Sequence, residues 1–385
     1  MLNREIERYI KANEDEALAL LKQLARIPAP SNREEKRARF CLEWLRTQGA
    51  EGVYCDDALN VIYPVEADAE GPLEVYAAHM DVVFPDETEL PLREENGRIY
   101  CPGVGDDTAC LVCLLMAAKY IAEHRLSGIW KQLRGSDAPG LLLVCNTGEE
   151  GLGNLRGIRE ICRVYGPRIR SFCTFDARFD HIVNRAVGSK RYRITLDTKG
   201  GHSFGDFGAD NAIERLSRLI QRLYRIEVPK AGHTTYNVGT ITGGTSINTI
   251  AQHAEMLYEF RSDTAAYLSY MEERFLEALE EEKKRGSRIG YELLGERPCG
   301  SAVDEMLEKK LVRRAVSAIR SATGIVPAAG AGSTDCNIPL SMGIPSVCVG
   351  CYEGQGAHTR EEYVETASLR KGYRVAFDMI FGREE

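Results

Sequence analysis

A histidine and an acid two residues apart, His79-x-Asp81, close the apolar run Leu73 to Ala78. The run reads as a short buried strand. Polar residues just past a strand's C-terminal end are where an open α/β sheet binds its ligands. His79 can ligate a metal through one ring nitrogen while Asp81 accepts a hydrogen bond from the other. Three further runs end in similar groups. Ile99-Tyr100-Cys101-Pro102-Gly103-Val104-Gly105 leads to Asp106-Asp107 at the start of an apolar helix expected over 109–123. An acid there is favoured by the helix dipole. Gly140 to Cys145 runs into Asn146-Thr147-Gly148-Glu149-Glu150, and Ser171 to Phe175 ends at Asp176. Adjacent carboxylates behind a core strand are costly to bury unless paired, protonated or bound to a cation. The four runs thus deliver His79, Asp106, Glu149, Glu150 and Asp176 to one rim. Each signal alone is weak. A strand-end histidine is more often simply hydrogen-bonded, and Asp107 or Thr108 also reads as a helix cap with Asp106 solvated.

The elements that must hold these residues can be read from the pattern around them. Apolar positions Ile6, Ile10, Ala17, Leu18, Leu20, Leu21 and Leu24 give a helical period over 2–26, broken by Ile27-Pro28-Ala29-Pro30-Ser31. Ser31 with Glu34 reads as a capping box for a helix reaching about Gln48. At Val187-Gly188-Ser189 the texture changes, and residues 191–198 alternate polar and apolar as a half-exposed strand does. Helices over about 210–226 and 265–284, with strands near 234–242, 254–262 and 288–294, complete an α+β unit of four antiparallel strands and two helices. From about 298 helix and strand alternate again: a helix over 303–323, a strand at Ser346 to Val349, a final helix over 366–381. The expected fold class is therefore α/β. A domain with a mostly parallel central sheet, 1–188 and 298–385, is interrupted by an inserted α+β domain, 189–297.

Of the 385 residues, 44% are hydrophobic and 28% charged, with a formal net charge of -8. That balance argues against a nucleic-acid surface and for a soluble, cytoplasmic protein. Met1 to Arg8 shows no apolar signal segment, and no run approaches a membrane span. Twelve cysteines are scattered, mostly inside apolar runs, and read as reduced, buried small hydrophobes. Cys110-x-x-Cys113 has the spacing of a redox or zinc motif, but it lies in an apolar helix with no second pair nearby, so the structural reading is preferred.

Together these residues resemble the M20 family of metallopeptidases and amidohydrolases, which includes peptidase T-like aminopeptidases and N-acyl-amino-acid deacylases. The resemblance covers nearly the whole chain. It rests on His79-x-Asp81, Gly105-Asp106-Asp107, Gly148-Glu149-Glu150-Gly151, Asp176, Gly201-His202-Ser203, Asn237-Val238-Gly239, Gly243-Gly244-x-x-x-Asn248, Arg261 and His358-Thr359. It implies a zinc-peptidase-like catalytic domain with a lid domain that often mediates dimers. It implies two metal ions bridged by Asp106, one also held by His79 and Asp176, the other by Glu150 and His358. Such a mixed histidine and carboxylate set suits zinc, with cobalt or manganese as alternatives. Asp180 is a rival to Asp176, which is preferred because it directly ends its strand. Glu149 is then the general base, Asp81 the partner that orients His79, and the Asp106–Asp107 peptide bond is expected to be cis. His202 is implied to reach the other subunit's site and stabilise an oxyanion. Asn248 and Arg261 are implied to grip the substrate carboxylate or backbone; a salt bridge with Asp263 is the alternative for Arg261. Gly332-Ser333-Thr334-Asp335 resembles a late substrate-binding loop.

The chain departs from the family pattern at Thr108-Ala109-Cys110, where Lys-Gly is common, which leaves the subfamily open. It also has Phe204-Gly205-Asp206-Phe207 where small residues are usual, which would narrow the pocket at the lid or contact a partner subunit. The expected activity is co-catalytic di-zinc hydrolysis of an amide bond in short peptides, as a di- or tripeptide exopeptidase of aminopeptidase type, in a homodimer. Glu353 and Asp335 are candidates for the substrate ammonium. The alternative is an N-acyl- or N-carbamoyl-amino-acid amidohydrolase. An inactive binding protein of the same fold is disfavoured, because every expected ligand is present.

Overall fold

Six of the seven residues of the strand Leu73–His79 are buried, and all seven of Gly140–Asn146. Strands this uniformly apolar need cover on both faces. They pair in parallel with His79 opposite Asn146. Ile169–Phe175 joins in parallel on the other side of Leu73–His79, and Ser346–Val349 follows it with Val349 opposite Phe175. The four C-terminal ends therefore lie side by side. Antiparallel and edge strands extend the sheet to eight, in the order Tyr54–Cys55, Val61–Val65, Gly140–Asn146, Leu73–His79, Ile169–Phe175, Ser346–Val349, His181–Ala186, Ala328–Gly332.

This computed structural model describes residues 2, 4–68, 70–135, 137–286 and 288–382. They fall into two compact units, Met1–Ala186 with Ser301–Glu385, and Val187–Gly300. In the first, alternate strand residues point to opposite faces. Tyr76, Ala78, Leu143 and Phe175 face one core layer with Leu111, Leu114 and Leu115 of the helix Cys110–Glu123. Val75, Ala77, Leu142 and Phe172 face the other, with Ile158 and Ile161 of Arg156–Tyr165. Every residue from Cys110 to Ala122 is buried, so this helix is a core element rather than an amphipathic cover. A small antiparallel sheet, Gly354–Gln355, Tyr363–Glu365, Arg98–Tyr100 and Arg93–Glu95, pairs Tyr363 with Tyr100. It brings the segment around His358 to the segment that leads into Asp106.

The Val187–Gly300 unit has the antiparallel order Thr234–Gly243, His253–Ser262, Gly188–Asp197, Arg288–Arg297. Ile194, Leu196, Met256 and Phe260 form its core with Leu216 and Leu219 of Ala212–Leu223 and with Met271 and Phe275 of Ala265–Lys284. A two-stranded pair, Gly201–His202 with Thr249–Ile250, lies beside it in sequence.

Several local elements differ from the expectation of the sequence. The period over 2–26 is two helices, Arg4–Ala12 and Glu14–Arg26, separated at Asn13. Ser31 and Glu34 form no capping box: Ser31 Oγ donates to Asp81 Oδ2, and Glu34 Oε1 accepts from the N–H groups of Asn32 and Gly148. Neither Asp107 nor Thr108 caps the helix, since Thr108 Oγ1 donates back to Gly103 O and Asp107 Oδ2 accepts from His79 N. The strands His181–Ala186 and Ala328–Gly332 carry no clear signal in the sequence, the latter being Ala-Ala-Gly-Ala-Gly with no branched or aromatic residue. All twelve cysteines are free and only Cys55 is exposed. No helix among the described residues is long and apolar enough to cross a membrane.

Leu111 is fully buried and Val164 is 47% exposed. Leu111→Ala is expected to lower the unfolding free energy by roughly 2–5 kcal/mol, and Val164→Ala by less than about 0.5 kcal/mol. Urea titration followed by circular dichroism checks both; equal losses would overturn the assigned core.

Candidate metal centre

The strand ends are knitted together by Asp81, which is wholly buried. Its Oδ1 accepts from Glu149 N at 3.0 Å and its Oδ2 from Glu150 N at 2.8 Å and Ser31 Oγ at 2.7 Å. His79 Nδ1 lies 3.4 Å from Oδ1 and 3.1 Å from Asp81 O. Burial alone would raise the Asp81 carboxyl; the bonds from His79, Ser31 and Glu150 outweigh it and hold the group below the usual carboxylate range. Occupying Nδ1 turns Nε2 of His79 toward the rim.

There His79 Nε2 lies 3.2 Å from Asp106 Oδ1, while Asp106 Oδ2 lies 3.2 Å from His358 Nε2. One carboxylate therefore presents each oxygen to a different imidazole. His358 Nε2 is also 3.0 Å from Glu150 Oε1. Ligand atoms converge in three groups: Asp106 with Glu150 and His358, His79 with Asp107 and Asp176, and His79 with Glu149 and Glu150. None contains a cysteine among the described residues. Asp180 stands apart, exposed and paired with Arg178 at 3.2 Å. The Asp106–Asp107 peptide bond is cis.

Asp106 is held by a residue that sequence reasoning did not single out. The carboxylate of Glu362, 1% exposed, accepts from the N–H groups of Gly103 at 2.6 Å, Gly105 at 2.9 Å and Asp106 at 2.7 Å. Gly105 is required here, because a Cβ would come within 2.6 Å of the Tyr352 ring and 2.9 Å of Glu362 Oε1. Nothing in the sequence marks Glu362, since its partners lie about 256 residues earlier. Glu34 holds the Gly148 turn in the same way, with Arg156 Nη2 at 2.9 Å from its other oxygen. Buried Arg37 fixes Met80 O at 2.8 Å.

The charge balance tests whether this cluster suits a cation. Burial, then the Asp106, Glu150 and Asp335 carboxylates, push Asp176 up to about 7. Burial raises Asp107 well above the carboxylate range, and its Oδ1 has no hydrogen-bond partner among the described residues. Hydrogen bonds to Asp106 and Glu150 push His358 up to about 11. Burial works against a charge on His79, yet Asp107, Asp106 and Asp81 raise its pKa well above the imidazole range. The surplus is negative, and the donors are hard oxygens with two imidazoles. A divalent cation fits that set.

Asp335 is 1% exposed and accepts from Asn146 Nδ2 at 2.7 Å. Thr334 N donates to Asn337 Oδ1, and Gly332 ends the edge strand that Ser333 follows. Glu353 is exposed. In the second unit, His202 pairs with Thr249, and Ser203 N donates to Asn248 O at 3.0 Å, so His202 and Asn248 lie close together in this unit. His202 Nδ1 accepts from the amides of Phe204 at 3.2 Å and Gly205 at 3.3 Å. With Nδ1 accepting, Nε2 is the ring nitrogen left to donate. Arg261 makes two bonds of 3.1 Å to Glu259, not to Asp263.

The chain belongs to peptidase family M20/M25/M40, whose sequence model matches residues 75–381. Metallopeptidases of this family use divalent metals. A protein of Pyrobaculum aerophilum described as a LysW-lysine/LysW-ornithine hydrolase is 29% identical over 224 residues, 58% of this chain and 58% of the relative. The succinyl-diaminopimelate desuccinylase of Bordetella petrii is 26% identical over 279 residues, 66% of this chain and 68% of the relative. The fold matches that of a tripeptidase from Staphylococcus aureus with a TM-score of 0.74 at 21% identity, covering 96% of this chain and 98% of that one.

Two outcomes follow for the centre. Glu362→Gln puts an amide donor against three N–H donors and is expected to weaken metal affinity roughly 10–100-fold, read by competition with a chromophoric chelator; wild-type affinity would remove Glu362 from the site. Chelation of the wild type should also lower stability, by about 2.7 kcal/mol from a starting free metal concentration of 100 times Kd, and calorimetry that finds no change would argue against a bound metal.

Proposed function

We propose that this chain is a two-metal hydrolase that cleaves an amide bond of short peptides, an exopeptidase on di- and tripeptides with aminopeptidase specificity. The observation that carries the reading is the Asp106 carboxylate, with one oxygen toward His79 and the other toward His358. His79, Asp106 and Asp176 would hold one ion, and Asp106, Glu150 and His358 the other. When bound, two such ions, zinc or else cobalt or manganese, polarise the scissile carbonyl and lower the pKa of water. Glu149 takes a proton from the attacking water and hands it to the leaving amine. Its backbone bond to Asp81 supports that role by holding the turn in place. His202 offers its Nε2–H to the oxyanion, serving the partner subunit's site in a homodimer. Arg261 and Asn248 grip the substrate carboxylate or backbone, and Arg261 must exchange Glu259 for it. Gly332, Ser333 and Thr334 border the substrate. Asp335, being buried, acts on Asp176 rather than on a substrate ammonium, which leaves Glu353 for that contact.

The same residues also serve an N-acyl- or N-carbamoyl-amino-acid amidohydrolase. The likeness to a desuccinylase favours keeping that second reading.

Wild type and Glu149→Ala, each with metal content determined, should be assayed on a panel of di- and tripeptides and N-acyl amino acids. The variant is expected to keep two metals per chain and lose roughly 100–10,000-fold in kcat. Cleavage of acyl-amino acids with no cleavage of peptides selects the second reading. A fully active Glu149→Ala overturns the assigned base.

A further inference from the structure

His358 is the least embedded of the residues assigned to the metals. Its side chain is 56% exposed, against 1% for His79, 7% for Glu150 and 19% for Asp106. Its backbone is left-handed, at φ 64°, a conformation that a residue with a Cβ adopts at a cost. Burial does not fix this ring, so the turn that carries it must. The turn is shaped locally: Thr359 N and Thr359 Oγ1 both donate to Gly356 O, at 2.9 and 2.7 Å. Those bonds set its form but not its place on the domain.

Arg360 supplies the place. Its Nη1 donates to Asp86 Oδ1 at 2.9 Å and its Nη2 to Asp86 Oδ2 at 2.7 Å. Its guanidinium carbon also lies 5.1 Å from the centre of the ring of Phe84, which is buried. A planar fork on a carboxylate restricts direction as well as distance, which an ammonium group does not do. Asp86 belongs to the loop that leaves Asp81, and that loop is tied down on its own account. Val82 N donates to Ala29 O at 2.9 Å, Lys36 Nζ to Glu87 O at 2.7 Å and Leu90 N to Arg26 O at 2.9 Å. Arg360 thus fastens the exposed turn of His358 to the loop that begins at buried Asp81. Partly exposed ion pairs such as this one add little to overall stability. Two residues from a proposed ligand, the same restraint acts on position instead.

We propose that Arg360 and Asp86 form a clasp that positions His358 and thereby sets the affinity of the ion held by Glu150 and His358. Both are positioning residues that act through the imidazole. The inference rests on the assignment of His358 as a ligand.

The test determines both zinc dissociation constants by competition with a chromophoric chelator, alongside the melting temperature of the metal-free protein. Arg360→Gln and Asp86→Asn are each expected to weaken one of the two ions roughly three- to tenfold, leaving the other ion and the melting temperature as in the wild type. The double variant should lose no more than either single one. Arg360→Lys, which keeps the charge without the fork, should fall in between. The deficit of Arg360→Gln should shrink in about 1 M salt, where exposed charges are screened. A pair with a merely structural role would lower the melting temperature and leave the ratio of the two constants unchanged; that result, or additive losses in the double variant, would overturn the clasp. His358→Ala separates the two levels of the argument. If it leaves both constants unchanged, the ligand assignment fails and the clasp with it. If it removes one ion while Arg360→Gln alters neither, the ligand assignment stands and the clasp alone fails.

Discussion

The hydrogen bonds converging on the Asp81 carboxylate are what the site depends on. A wholly buried charge is tolerated only when its lone pairs are filled, and here two backbone amides, a hydroxyl and an imidazole fill them. Those donors come from three separate stretches of chain. Ser31 lies between two helices, His79 ends one strand, and Glu149-Glu150 follow the strand beside it. The position of the imidazole and the position of the two glutamates are therefore one geometric fact. Loosening Asp81 would release all of them together, and its neighbour Met80 is fixed independently by the buried guanidinium of Arg37.

Strand polarity sorts the charges of this domain. The carboxylates of Asp81, Asp106, Glu150 and Asp176 gather where the parallel strands end, and Arg134, Arg170, Lys310 and Arg314 line a cavity with Glu74 where they begin. Between the two edges the sheet is sealed on both faces by apolar layers. Each edge is thus an electrostatic environment of its own, and the acid-rich edge is the one where loops rather than regular elements carry the functional groups, as in open α/β sheets generally. The small sheet around Tyr363 acts as a brace between two of those loops.

Much of this is legible in the sequence alone. Long apolar runs with no alternation gave the parallel strands, and the acids or histidine after them gave the rim. The alternating texture after Val187 marked the second unit. What was not legible has a common cause: it depends on residues distant in sequence. Ser31 and Glu34 have the spacing of a local cap, yet tertiary partners, Asp81 and the Gly148 turn, take both side chains. Glu362 looks like one more surface acid in Thr-Arg-Glu-Glu until the Gly103–Asp106 amides arrive beside it. Arg261 found Glu259, two residues away on the same strand face, rather than Asp263, equally distant in sequence but past the end of the strand. The strand Ala328–Gly332 lacks the side chains that announce strands and is held by its parallel neighbour.

The carboxylate of Glu362 has a consequence for biosynthesis. A nascent chain that has emerged through the Val187–Gly300 unit already contains His79, Asp106, Glu149, Glu150 and Asp176. It contains neither His358 nor the acceptor for the amides of Gly103, Gly105 and Asp106. The acidic rim then exists without the group that shapes its central loop. The order of translation thus places completion of the cluster after the Val187–Gly300 unit has emerged, and until then the amides of Gly103, Gly105 and Asp106 lack their carboxylate acceptor.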